Sequence, residues 1–171
     1  AEDAIAGAKD IIAESISDEA DYRSWIRKIT MKKGKLISTA KDPEAESVYE
    51  MYYEFEEPLS KLAGHRILAL NRGEKEKILT VKIEAPEEEI LGYLEKQIFH
   101  GKNLDTEQAL KEAVEDSYKR LIGPAIEREI RSDLTEKAEN GAIEVFGKNL
   151  HQLLMQPPIT GQVVLGWDPA F

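Results

Sequence analysis

Apolar residues along most of the chain recur at the three-to-four-residue spacing of amphipathic α-helices. Two such helices are predicted before Gly34, a residue type that commonly follows a helix end. A third is predicted after Pro86, and the longest helical pattern runs from Asp105 to Pro157. The pattern therefore predicts a mainly α, multihelical scaffold.

One small β element interrupts the helical pattern. Residues 78–84 alternate between apolar and polar side chains, which is the clearest strand pattern in the chain. We therefore expect a short strand or hairpin near 76–85. Residues 35–39 are a second candidate for a short extended stretch.

The helical pattern over residues 104–156 predicts a long connector with a kink. About 50 residues would form a straight helix of roughly 75 Å, at about 1.5 Å per residue. Pro124 lacks a backbone N–H and crowds the preceding turn, so we expect a kink or break there. A rod of that length cannot be buried throughout in a domain of this size. It must bend or contact polypeptide outside this chain.

The final segment differs from the rest. Residues 162–169 form a short apolar run that contains Asp168, which predicts the first buried strand of another domain, truncated after its first turn. The chain also begins with Ala1 rather than methionine. We therefore expect an internal fragment of a larger protein.

Composition narrows the possible chemistry. The chain has 171 residues and no cysteine, which excludes disulfides, thiolate metal sites and a cysteine nucleophile. Its three histidines lie far apart in sequence, so we predict no metal site and no cofactor. No stretch approaches the roughly 20 apolar residues of a membrane-spanning helix, and no secretory leader is visible. These features predict a cytoplasmic protein without membrane contact.

A basic segment stands out on an acidic chain. The net charge is −10, yet residues 21–35 carry six cations and a single acidic residue, Asp21. Such local charge is what phosphate contacts require, although cations also suit the C-terminal end of an ordinary solvated helix. Both interpretations stay open. The candidate nucleic-acid-binding residues are Arg23, Arg27, Lys28, Lys32, Lys33 and Lys35.

Aromatic residues are concentrated in the acidic stretch 44–57. Tyr49, Tyr52 and Tyr53 share one face if this stretch is helical. Aromatic rings can stack on unpaired bases, but the neighbouring glutamates would repel phosphate. Core packing is therefore the favoured role.

Asp168 is the sharpest candidate for catalysis. RNase H-like folds present a metal-binding carboxylate at the end of a hydrophobic first strand, followed by a turn of small residues. Two-metal phosphoryl chemistry needs several converging carboxylates, and none follows Asp168 here. We therefore predict that this chain is not an enzyme and has no catalytic residues.

Three segments in order resemble the Tex family of bacterial transcription accessory proteins. They are GAKDIIAE at 7–14, GHRILALNRGE at 64–74, and the two prolines at 157–158 leading to VVLGWDPAF at 163–171. The resemblance implies a helical scaffold with a long central helix, followed by a resolvase-like RNase H domain, helix-hairpin-helix modules and an S1 domain. It also implies that the S1 domain is the main nucleic-acid binder and that the family has no working nuclease.

The resulting prediction has three parts. Residues 1–103 are a helical region with the small β element, 104–156 the long connector, and 157–171 the truncated start of the RNase H-like domain.

The expected function is to hold RNA- or DNA-binding modules located outside this fragment, possible partners being the transcription machinery. One alternative is a nuclease fragment with Asp168 as a metal ligand. The other is a protein-interaction module, based on the acidic aromatic stretch and the long helix.

Overall fold

The computed structural model describes residues 2–99 and 104–169, with side chains from 7–99 and 107–169. Helices dominate, so the predicted mainly α fold is confirmed. The α-helices are α1 (Glu2–Asp18), α2 (Ala20–Lys33), α3 (Gly64–Lys75), α4 (Glu87–Ile98), α5 (Leu104–Asp116) and α6 (Gly123–Leu154). The strands are β1 (Lys35–Ala40), β2 (Glu54–Pro58) and β3 (Leu79–Glu84). Short 3-10 turns cover Glu50–Tyr52 and Leu59–Lys61, and a π-helical segment covers Ser117–Ile122.

The three strands form one antiparallel sheet in the order β2-β1-β3. The strand predicted near 76–85 is β3, and the extended stretch predicted at 35–39 is β1. The sheet has one strand more than these two predicted stretches, because β2 was not predicted. Its sequence is mostly glutamate, and its place is fixed by pairing with β1, for example Phe55 opposite Ser38.

The outer edge of β3 is closed by side chains of α6 rather than by another strand. Glu127 Oε1 accepts a hydrogen bond from the Ile83 backbone N–H at 3.0 Å. One turn later, Arg131 Nη1 donates to the Val81 carbonyl at 3.4 Å. Backbone groups at a sheet edge need such partners when they are covered. These two contacts fix α6 along the sheet.

The aromatic stretch packs into the core, as expected. Tyr49 and Tyr52 are buried, and Tyr53 and Phe55 pack against the same cluster. The prediction that these tyrosines share a helical face is correct only for the single 3-10 turn. Beyond that turn the chain is extended, and Phe55 already belongs to β2. The buried core joins the sheet to the helices through residues Ile26, Leu36, Leu70, Leu79, Ile90, Leu94, Ile122 and Ile130.

The long helical connector is continuous from Leu104 to Leu154, so the chain does not break at Pro124, and the kink expected there stays a prediction. The helix is irregular just before this proline, where a π-helical segment ends and the Gly123 N–H bonds to the Tyr118 carbonyl, five residues back. Proline cannot supply the N–H that regular bonding requires, and π segments accommodate such irregularities. Ser117 anchors this segment to α1 through a 2.7 Å hydrogen bond from Oγ to the Ala13 carbonyl.

The strand predicted at 162–169 is not formed. Residues 157–169 are neither helix nor strand, and their side chains are exposed. A strand is stable only when its backbone pairs with a neighbour, and no strand among the described residues lies beside this segment. The assignment of 157–171 to a separate domain remains a prediction, and residues 170–171 lie outside the described part. Among the helices that the structure describes, none is both long and apolar enough to cross a membrane.

Candidate functional site

Helix α6 divides into a buried half and an exposed half. In the first half, every fourth residue packs into the core, namely Ile126, Ile130, Leu134 and Ala138. From Gly141 to Leu154 every residue is exposed. That second half extends for roughly 20 Å at about 1.5 Å per residue, and it lies at the surface along its whole length.

The exposed half keeps the apolar stripe of the buried half. Val145, Phe146 and Leu153 recur at helical spacing, and Phe146 is 66% exposed. Soluble proteins seldom leave a contiguous apolar surface of this kind uncovered unless it binds something. We call this surface the α6 apolar face and define it as Ala142, Val145, Phe146, Leu150 and Leu153.

A groove lies at the base of the α6 apolar face, where α6 crosses the first turn of α3. Its volume is about 600 Å³. Close approach of the two helices depends on Gly64, because a Cβ there would lie 3.3 Å from Ala138 Cα. Leu68 of α3 and Phe146 of α6 both line the groove. The groove and the apolar face together form a surface suited to an apolar partner segment.

The chemistry of this surface favours binding rather than catalysis. Burial of a large aliphatic or aromatic side chain contributes about 1.5–3 kcal/mol, so several anchors on one helix face can hold a partner firmly. Titratable groups are few there: Lys137 and His65 line the groove. Within residues 7–99 and 107–169, no three acidic or histidine side chains cluster closely enough to hold a metal ion.

Four of the six candidate nucleic-acid-binding residues form ion pairs with other elements. Arg23 Nη2 lies 2.6 Å from Glu129 Oε1, and Arg27 pairs with Asp133, so both contact α6. Such pairs neutralise charge that phosphate contacts would need.

Lys33 and Lys35 are paired in the same way. Lys33 Nζ lies 2.6 Å from Glu89 of α4, and Lys35 Nζ lies 2.5 Å from Glu56 of β2. The hydrogen bond from Lys35 to Glu56, together with the charge of that carboxylate, raises the pKa of Lys35. These pairs join α2 and β1 to their neighbours.

Lys28 and Lys32 differ from the other four cations. Both are exposed on α2, and neither has an ion-pair partner among the described residues. They are one turn apart and lie on the same side of the helix. The role of all six cations in nucleic-acid binding stays a prediction, and these two are the best placed for it.

Sequence reasoning identified the apolar residues of α6 but not the groove, and it did not identify the ion pairs. The partners of Arg23 and Arg27 lie 106 residues away in the chain, so no local pattern reveals them. Asp168 is exposed on the segment that follows α6. Its proposed role as a metal ligand gains no support from neighbouring carboxylates in the described part of the chain.

Comparison with known proteins gives a consistent set of relatives. The family described as Tex central region-like matches residues 1–146. The chain is 57% identical to the Bacillus subtilis protein YdcI over 173 residues, covering 99% of this chain and 24% of YdcI. It is 30% identical to human S1 RNA-binding domain-containing protein 1, covering 96% of this chain and 18% of that protein. It is 26% identical to the transcriptional accessory protein Tex of Neisseria gonorrhoeae, covering 98% of this chain and 23% of that protein. The chain thus spans about a fifth to a quarter of the length of these relatives.

Proposed function

Because the chain belongs to the Tex family, we propose that it is the helical scaffold of a nucleic-acid-binding transcription accessory protein. In this proposal the RNA- or DNA-binding modules lie outside residues 1–171, and the chain holds them in place without catalytic activity of its own. The names of two relatives support the proposal, since one contains an S1 RNA-binding domain and another is a transcriptional accessory protein. The proposed setting is the cytoplasm, with the transcription machinery as partner.

The α6 apolar face is the observation that carries this proposal. The row of apolar residues does not end at Ala138, where the core ends, but continues to Leu153 without cover. The relatives are about four to six times longer than this chain, so the rest of the same polypeptide is the proposed cover. On this account α6 transmits the position of the helical body to the modules that follow.

The charge distribution supports placing the nucleic-acid-binding modules elsewhere. The chain carries a net charge of −10, and pairs such as Arg23 with Glu129 neutralise most of its basic segment. Affinity for nucleic acid depends largely on unpaired cations that displace counterions from phosphate. Within the basic segment, only Lys28 and Lys32 have no ion-pair partner among the described residues, which predicts weak, salt-sensitive binding.

Fluorescence anisotropy with a labelled single-stranded RNA tests this proposal. We expect the full-length protein to bind tightly at physiological salt, and the 171-residue chain to bind at least about a hundredfold more weakly. Replacing Lys28 and Lys32 together by alanine should leave the full-length affinity within about threefold of the wild type. The matched control replaces Lys61 and Lys75, which also removes two exposed charges. Tight, stoichiometric RNA binding by the 171-residue chain would refute the proposal.

A further inference from the structure

A second concave surface lies at the start of α6, at the opposite end of this helix from the α6 apolar face. It is a cleft of about 470 Å³ where α2, the end of β3, the start of α4 and the π-helical segment meet. Its apolar lining includes Ile26, Ile83, Pro124 and Ile126. This volume is within the range of small-molecule sites, which are mostly apolar with a few polar groups. We call it the π cleft.

The π-helical segment beside the cleft has an irregular backbone hydrogen-bond pattern. In this segment the Gly123 N–H bonds to the carbonyl of Tyr118, five residues back. The same pattern would bring an N–H at position 124 to the carbonyl of Lys119, but Pro124 has none. The Lys119 carbonyl therefore receives no such bond from the helix. Lys119 and Pro124 both line the cleft, and π segments of this kind are frequent at functional sites.

Tyr118 adds a hydroxyl group. Its side chain lines the cleft and is largely buried, and its hydroxyl has no hydrogen-bond partner among the described residues. Burial, followed by the charges of Glu87 and Glu127, raises the pKa of Tyr118 to about 12. The hydroxyl is therefore neutral at physiological pH and can donate or accept a hydrogen bond.

Charges around the cleft select against anions. Glu84, Glu87 and Glu127 line it together with Lys82 and Lys119, so carboxylates outnumber ammonium groups by three to two. Lys119 Nζ lies 3.3 Å from Glu87 Oε1 and is already paired. Glu127 uses Oε1 for the Ile83 N–H, and its other oxygen is left for a ligand. The excess negative charge favours a cation.

We propose that the π cleft binds a small amine with a ring-sized apolar body. The apolar body packs against Ile83, Pro124 and Ile126, and the ammonium group lies near Glu127. The Lys119 carbonyl and the Tyr118 hydroxyl accept hydrogen bonds from the ammonium group. This activity is separate from the scaffold role and does not depend on it.

Three probes with the same ring system test the proposal on the 171-residue chain. Tryptamine is a cation, indole is neutral and indole-3-acetate is an anion, and their binding can be followed by two-dimensional 1H–15N NMR titration. We expect saturable shifts at the amides of Ile83, Lys119 and Glu127, with tryptamine at least about threefold tighter than indole and indole-3-acetate weakest. Equal affinity for all three probes, or shifts that do not saturate, would overturn the proposal.

Matched variants make the test specific to the cleft. Glu127→Gln keeps an oxygen for the Ile83 N–H but removes the charge, so it should abolish the preference for tryptamine over indole. Glu129→Gln, two residues away, is not part of the cleft lining and should leave that preference unchanged. Tyr118→Phe should weaken tryptamine binding about threefold or more, whereas Tyr22→Phe should not. If both members of each pair behave alike, the ligand does not occupy this cleft.

Discussion

A single type of substitution, made in each half of α6, tests where the folded body ends. Ile130 is 0% exposed and Ile143 is 67% exposed, yet both belong to the same helix. Replacement by alanine removes the same atoms and gives the same small gain in helix propensity at both positions. Any difference in stability therefore reports burial.

The expected difference is large. A buried isoleucine replaced by alanine costs about 2–5 kcal/mol, because apolar contacts are lost and a cavity remains. An exposed position away from the core changes stability by about 0.5 kcal/mol or less. With a typical urea dependence of about 2 kcal/mol per M, the midpoint for Ile130→Ala should fall by about 1–2.5 M. The midpoint for Ile143→Ala should shift by no more than about 0.25 M.

Urea unfolding followed by circular dichroism at 222 nm measures both variants. The slope of the transition should stay the same, since neither substitution changes the surface exposed on unfolding by much. Equal midpoint shifts for the two variants would refute the division of α6 into a buried and an exposed half.

Two further predictions concern the packing of α3. Gly73→Ala should destabilise the chain by about 1–3 kcal/mol through overpacking, because the new Cβ would lie 2.6 Å from Leu79 Cδ1. Gly92→Ala is the control, because a Cβ at Gly92 would have no neighbouring atom within 4 Å, and it should be neutral or stabilising. Thermal denaturation measures both variants. The hydrogen bond from Arg131, 3.1 Å from Nη1 to Oε1, lowers the pKa of Glu74 below its ordinary 4.5. The resulting stabilisation is complete above pH 4.5 and disappears as the pH falls through the lowered pKa. Glu74→Gln should therefore cost stability at pH 7 and progressively less below pH 4.5; a constant difference at all pH values would contradict this.

The sequence predicted those elements in which apolar residues recur regularly within the element itself. Strand β3 alternates regularly, and α6 has apolar residues every third or fourth position, so both were recognised. Strand β2 was missed because Glu54, Glu56 and Glu57 leave Phe55 as its main apolar signal. Its conformation depends on pairing with β1, which is a tertiary effect.

The candidate surfaces were predicted only in part. The apolar residues of α6 were visible in the sequence, but their exposure depends on where the core ends at Ala138. The basic segment was visible too, whereas the pairing of Arg27 with Asp133 requires two distant helices to meet. Pro124 indicated an irregularity in the helix, since a missing N–H must be accommodated locally. The sequence did not predict that this irregularity would be a π-helical segment.

Single-thiol labelling of the α6 apolar face tests the scaffold role most directly. The chain has no cysteine, so Phe146→Cys introduces one reactive thiol, and Lys148→Cys places a control on another side of the same exposed helix. Labelling of the full-length protein without either substitution measures the background reaction of any other cysteines, and this background is subtracted. We predict that Cys at position 146 reacts at least about tenfold more slowly in the full-length protein than in the 171-residue chain, while the control at 148 changes little. Equal rates at position 146 in both proteins would contradict the claim that the rest of the polypeptide covers this face.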